Sequence, residues 1–111
     1  MSEPAMNADY LVILCTCPTA TDAEAISTAL LEEKLAACVN RVSGVRSMYR
    51  WAGKIEHDDE VMLVIKTAMQ HYARLETTIR SLHPAEVPEI IGLPIVVDSG
   101  DYLDWLGESL S

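Results

Sequence analysis

Three prolines fall within residues 83–94, His-Pro-Ala-Glu-Val-Pro-Glu-Ile-Ile-Gly-Leu-Pro, and they restrict what the last third of this chain can become. Pro84 has no amide donor and biases the preceding residue away from helical angles, so a helix before it must end with the His83 imidazole at its rim. Pro94 cannot donate to a ladder, which assigns the apolar segment 89–97 to an edge strand or a bulge. Glu86 and Glu89 lie between these prolines, so carboxylates and an imidazole surround one short apolar strand.

Working back from this segment, Met69, Tyr72, Leu75, Ile79 and Leu82 recur at three- and four-residue intervals and predict a helix that Pro84 stops. Residues 10–17 are a nearly continuous, β-branched apolar run, as suits a central strand covered on at least one face. Thr21-Asp22-Ala23-Glu24 has the form of a capping box, and Ala23, Ile26 and Leu30 continue at helical spacing to about Leu35. Residues 38–51 read as a long second strand with a bulge or kink at Gly44, reversed by the turn Trp51-Ala52-Gly53-Lys54. Residues 55–67 form a third strand, acidic at its start and apolar later. A short last helix follows, with Asp98 or Ser99 as its cap and Tyr102, Trp105 and Leu106 on its apolar side.

Strand, helix, strand, strand, helix, strand and a terminal helix compose two split βαβ units. The expected class is α+β, a ferredoxin-like βαββαβ sandwich with an extra C-terminal helix. Right-handed crossovers then require an antiparallel sheet in spatial order four, one, three, two.

Half of the 111 residues are hydrophobic, which is enough for one core and too little for two. The expected organisation is a flexible tail at residues 1–9 and a single domain over residues 10–111. Eight Lys and Arg against seventeen Asp and Glu give a net charge of −9, which repels phosphate backbones and anionic membranes. Nucleic acid and membrane are therefore not expected partners. Residues 1–9 carry neither a basic cluster nor an apolar core, and the apolar run from residue 10 is far shorter than the ~18 residues of a membrane span. With an odd number of cysteines, three, reduced thiols in the cytoplasm are expected rather than a disulfide framework.

The expected topology brings Cys15 and Cys17 to the same end of the sheet as His83. Two residues apart on a strand, both thiols leave the same face with Cα atoms about 6.5 Å apart. Thiolate and imidazole suit copper or zinc, although two small core residues are the more common reason for Cys-x-Cys on a central strand. Cys38 is expected at the opposite end as a core cysteine. The run Glu56-His57-Asp58-Asp59-Glu60 lacks the glycine and spacing of a calcium loop and reads as a solvated hairpin end. His71 is expected on the surface, and Lys66 and Glu89 are the charges expected to be partly buried. No catalytic arrangement is evident, so an enzyme is not expected.

Several separated blocks resemble one family. These are Thr16-Cys17-Pro18; residues 33–40, Glu-Lys-Leu-Ala-Ala-Cys-Val-Asn; Tyr49-Arg50-Trp51 with Gly53-Lys54-Ile55; Glu60 with Lys66-Thr67; His83-Pro84 with Glu86-Val87-Pro88-Glu89-Ile90-Ile91; and Tyr102-Leu103 with Trp105. Together, over residues 10–110, they resemble the CutA divalent-cation tolerance proteins. The resemblance implies a homotrimer of PII-like arrangement that binds copper or another divalent metal ion and contributes to metal tolerance, the metal being no obligatory cofactor. It places metal ligation on Cys15 and His83, with Cys17 as an auxiliary. Two departures stand out: Leu82 occupies a position where some bacterial members have a further histidine, and Ala85 one where the family usually has tyrosine. Trp51, Glu60, Lys66, Glu89, Tyr102 and Trp105 match recurring family positions and are expected at an inter-subunit cleft. The alternative reading is a PII-like signalling or small-molecule-binding scaffold. A hydrolase of acylphosphatase type ranks last, because its phosphate loop has only a faint echo in Ser43-Gly44-Val45-Arg46, inside the second strand.

Overall fold

The computed structural model describes residues 9–111, so the tail expected at residues 1–9 lies, apart from Asp9, outside the described residues. In chain order the elements are β1 (Tyr10–Cys17), α1 (Ala20–Glu32), β2 (Cys38–Trp51), β3 (Lys54–Ala68), a 3-10 turn (Met69–His71), α2 (Tyr72–Leu82), β4 (Ile91–Pro94) and α3 (Asp101–Ser109). The sheet is antiparallel throughout, in the order β2-β3-β1-β4. This is the ferredoxin-like βαββαβ sandwich with an added C-terminal helix that the element order predicts.

Side-chain alternation along β1 organises both sides of the sheet. Leu11, Ile13, Cys15 and Cys17 turn to the helical layer, where they pack with Ala23, Ile26 and Leu30 of α1, Leu63 and Ile65 of β3, and Leu75 and Ile79 of α2. Tyr10 turns the other way and joins Ala68, Leu106 and Leu110, which hold α3 against the outer face. Beyond α3 that outer face stays open. Leu93 pairs with Val12 and Ile91 with Leu14, and Ile91 and Leu93 are each about half exposed.

Four local details differ from the sequence expectations. The α1 cap is Thr19 rather than Thr21: the Asp22 amide donates to Thr19 Oγ1 at 3.1 Å, and Thr19 Oγ1–H donates to the Asp22 carboxylate at 2.8 Å. The helix also ends at Glu32, because Lys34 takes a left-handed conformation (φ 56°) that turns the chain toward β2. β4 covers only Ile91–Pro94 of the segment 89–97, although the Ile95 amide still donates to the Tyr10 carbonyl at 3.0 Å beyond the proline. At α3, Asp98 and Ser99 accept from the amides of Gly100 and Tyr102, shaping the turn before a helix whose N-cap is Gly100.

The predicted bulge is present, as the β2–β3 register shifts between Val42 and Val45 around Gly44 (φ 76°). β1 ends opposite Val61, yet β2 and β3 stay paired out to Trp51 and Lys54. The hairpin is therefore a two-stranded arm projecting past the rest of the sheet, closed by Ala52 and Gly53 at positive φ (51° and 79°).

The two candidate caps make opposite predictions for stability. Thr19→Ala should lower unfolding free energy by about 1 kcal/mol in urea denaturation, whereas Thr21→Ala, at an exposed position inside the first turn, should be neutral or slightly stabilising.

Candidate metal centre and its cleft

Cys15 and Cys17 are fully buried, at 0% exposure, as two members of the inward-facing set of β1. Pro84 holds His83 in an extended conformation (φ −81°, ψ 132°) as the C-cap of α2, while its amide still donates to the Ile79 carbonyl at 2.8 Å. The chain thus leaves the helix at His83, and the imidazole turns to the end of β1. The ligand atoms of Cys15, Cys17 and His83 all lie within 4.8 Å of one another. Metal–sulfur and metal–nitrogen bonds of roughly 2.0–2.3 Å mean that the three donor atoms lie close to the separations one shared ion requires. Two sulfurs and an imidazole form a soft donor set, so the residues fit copper or zinc better than a hard cation.

The thiols interact with each other. A hydrogen bond with Cys17, burial, and the nearby Cys17, Glu89 and Glu60 charges push the Cys15 thiol well up from its ordinary range. The Cys17 thiol is lowered by the hydrogen bond from Cys15, against the opposing effect of burial. The two thiols therefore titrate as a coupled pair.

Both nitrogens of His83 are engaged. Its Nε2 lies 2.7 Å from the Thr16 carbonyl oxygen, and its Nδ1 accepts from the Ala85 amide at 3.0 Å. A carbonyl can only accept and an amide N–H can only donate, so this pattern assigns the neutral Nε2–H tautomer.

In front of the imidazole is a cleft of about 560 Å³ between the hairpin arm and residues 83–89. Asp58, Glu60, Glu86 and Glu89 supply four carboxylates to its lining, and among the described residues no lysine or arginine lines it. Trp51, Tyr49 and Met48 form much of the remaining wall. The Tyr49 hydroxyl donates to the Asp58 carboxylate, and that bond is the main cause of a phenol pKa pushed up to about 12.

The six residues expected at one inter-subunit cleft divide into two groups within a protomer. Trp51, Glu60 and Glu89 line the cleft beside His83. Lys66, half-buried as expected, donates instead to the Asn40 side chain, and Tyr102 stacks on Trp105 with ring centroids 5.5 Å apart. Glu89, expected to be partly buried, is exposed. Cys38 is no core cysteine: it is half-buried, and its Sγ donates to Asn40 Oδ1 at 3.9 Å. Nor does it lie a full strand length from Cys15. Its register through Lys66 to Val12 puts it three residues along the sheet, roughly 10 Å. His71 is half-buried rather than on the surface, and its Nε2 is buried without a hydrogen-bond partner among the described residues. The acidic run 56–60 is, as expected, a solvated hairpin end in which Arg46 pairs with Asp59 at 3.2 Å.

Sequence reasoning missed the Thr16 carbonyl and the Ala85 amide, which as backbone groups have no residue signature. It also missed Asp58 and Glu86 as cleft residues. Their signal was the density of carboxylates on the two segments that face each other.

The family model for the CutA1 divalent ion tolerance protein matches residues 11–109. A curated relative from Thermus thermophilus, named divalent-cation tolerance protein CutA, is 46% identical over 98 residues, covering 88% of this chain and 95% of that protein. The solved structure of CutA from Xylella fastidiosa superimposes with a TM-score of 0.90 at 40% identity, covering 94% of this chain and all of that one. An Archaeoglobus fulgidus protein described as a periplasmic divalent cation tolerance protein CutA superimposes at 0.89 with 34% identity, covering 92% of this chain and 99% of its own. No described helix is long and apolar enough to cross a membrane.

The cleft geometry predicts a phenol that ionises late. Ultraviolet difference titration, with Tyr49→Phe to identify the signal, should show the Tyr49 transition near pH 12, and Asp58→Asn should return it toward the ordinary value of 10.

Proposed function

Because this chain belongs to the CutA1 divalent ion tolerance family, we propose that it is a homotrimer that binds copper or another thiophilic divalent metal ion and contributes to metal tolerance. Cys15 and His83 are the ligands, with Cys17 as an auxiliary donor. The observation that carries this reading is the convergence of the three donor atoms within 4.8 Å at the buried end of a carboxylate-lined cleft. The carboxylates raise the local concentration of cations, and the sulfurs favour thiophilic ions among those that arrive. Leu82 supplies no imidazole, so the site rests on a single histidine.

A PII-like trimer is supported by what the protomer leaves uncovered. The outer sheet face presents Val12, Leu14, Ile91 and Leu93 to solvent or to a partner, and the hairpin arm projects without a strand on either side. A contiguous apolar face and an unprotected arm are the features that association between copies removes. In a cyclic assembly, the end bearing Trp51, Glu60 and Glu89 meets the neighbour's end bearing Lys66, Tyr102 and Trp105, which restores one inter-subunit cleft. Residues 10–111 act as one domain, since every element attaches to a single sheet. The reduced, buried thiols support a cytoplasmic protein, and no residue is assigned a catalytic step.

The 560 Å³ cleft favours a second reading, a PII-like scaffold that binds a small molecule beside Trp51, Glu60 and Glu89. A ligand at 100 times its dissociation constant should stabilise the folded state by about 2.7 kcal/mol, seen as a thermal shift. Absence of a shift across nucleotides, amines and other metabolites would count against this reading.

The metal reading is tested by anaerobic titration of reduced protein with Cu(I) against a competing chelator, with oligomer mass from light scattering. Binding should be tight and trimer-associated. Loss of an outer-sphere partner alone typically costs 10–100-fold in metal affinity, so removing two direct ligands in Cys15→Ser plus His83→Ala should cost more than about 100-fold. Affinity indifferent to those substitutions would eliminate the site.

A further inference from the structure

Cys15 and Cys17 do not line the cleft, although they lie next to it. Of the residues that line the cleft, Thr16 and Pro18 flank Cys17 in the chain, and the His83 ring has its ligand atom within 4.8 Å of both sulfurs. Of these, His83 is the one with a long side chain, and it is tied at both ends of its ring, to the Thr16 carbonyl at 2.7 Å and to the Ala85 amide at 3.0 Å. Neither nitrogen can face an ion until one of these bonds breaks: Nε2 carries a proton directed at Thr16, and the Nδ1 lone pair is directed at Ala85. The segment that would move is lightly anchored. Residues 84–87 and Glu89 are exposed, and Ile90 is its apolar attachment to the core. Few buried contacts are the mark of a low-cost local opening.

We infer that His83 is a latched gate as well as a ligand: a soft cation or a small thiol-reactive molecule reaches Cys15 and Cys17 from the cleft only when the imidazole leaves Thr16 and Ala85. This deepens the metal reading above and rests on it for its biological meaning, though not for its physical content. In the closed state the sulfurs are shielded from oxidants and from ions held loosely by the cleft carboxylates. A metal binds through the open fraction alone, so its apparent affinity falls by that fraction. An ion that bonds strongly to sulfur and imidazole compensates for the lost latch; a hard cation at Asp58, Glu60, Glu86 or Glu89 does not.

The experiment measures thiol access without metal. In reduced, metal-free Cys38→Ser protein, where the half-buried third thiol is removed, the rate at which Cys15 and Cys17 exchange with a small aromatic disulfide reports gate opening. Two latch hydrogen bonds of ordinary net strength correspond to about 30-fold, so His83→Ala should react about 30-fold faster than the parent. His83→Gln keeps an N–H donor of similar reach toward Thr16 and should stay within about fivefold of the parent. Equal rates in all three proteins would overturn the gate. Should His83→Ala loosen the whole fold, the parent itself decides: hydrogen exchange of the Ala85 amide should follow the same local opening as thiol reaction. Thiol reaction that tracks global unfolding in denaturant would overturn the gate instead. Cu(I) titration of the same variants separates the two proposals. Faster thiol access without any copper binding refutes the metal reading and leaves the gate standing, and tight copper binding with His83-independent thiol access does the reverse.

Discussion

The alternation of side chains along β1, a strand paired on both edges, is the constraint on which the rest of the molecule depends. With β3 on one side and β4 on the other, β1 cannot slip by a residue without exchanging its two faces. Its odd-numbered residues therefore form the floor of the helical layer, and its even-numbered residues form the outer face. Cys15 and Cys17 share parity with Leu11 and Ile13, so the thiols are buried by the same register that builds the core. Their soft-donor chemistry is a consequence of their place in that core.

The third donor comes from far along the chain through a different device. Pro84 ends α2 at Leu82, and the extended conformation it imposes on His83 turns the chain off the helix axis at the end of β1. A helix that ran one turn further would carry the imidazole elsewhere: His83 would then lie on a helical surface and its ring would lose the Thr16 carbonyl. The rigid proline and the backbone hydrogen bonds to the ring act together. One delivers the imidazole, and the others decide its tautomer and keep it over the thiols.

Charge and hydrophobicity are distributed unevenly over the protomer. Carboxylates from the hairpin arm and from residues 83–89 face each other across the cleft, whereas Lys66 of β3 donates to Asn40 and the Tyr102–Trp105 pair lies on α3. The open outer face of the sheet lies between these regions. The uncovered apolar residues of the outer face and the projecting arm are the physical ground for proposing that the protomer is a subunit.

Local sequence determined the element types, their order and the antiparallel topology, because these follow from short-range facts: the β-branched run at residues 10–17, the helical spacing of Leu75 and Ile79, the φ > 0 turn at Ala52-Gly53, and the prolines. It was less certain where several local solutions compete, as when Thr19 rather than Thr21 caps α1 or when β4 pairs over only four residues. The grouping of Cys15, Cys17 and His83 at one sheet end was legible from topology, since strand direction and helix direction follow from element order. What only the tertiary structure decided were the properties that depend on backbone atoms and on distant neighbours. The engagement of both His83 nitrogens, the half-burial of Cys38 beside Tyr102, the exposure of Glu89 and the separation of Lys66 from Glu60 belong to this class. A carbonyl oxygen or an amide hydrogen is present at nearly every residue, so no residue type announces which one will meet a side chain; that is settled only when long-range packing brings the segments together.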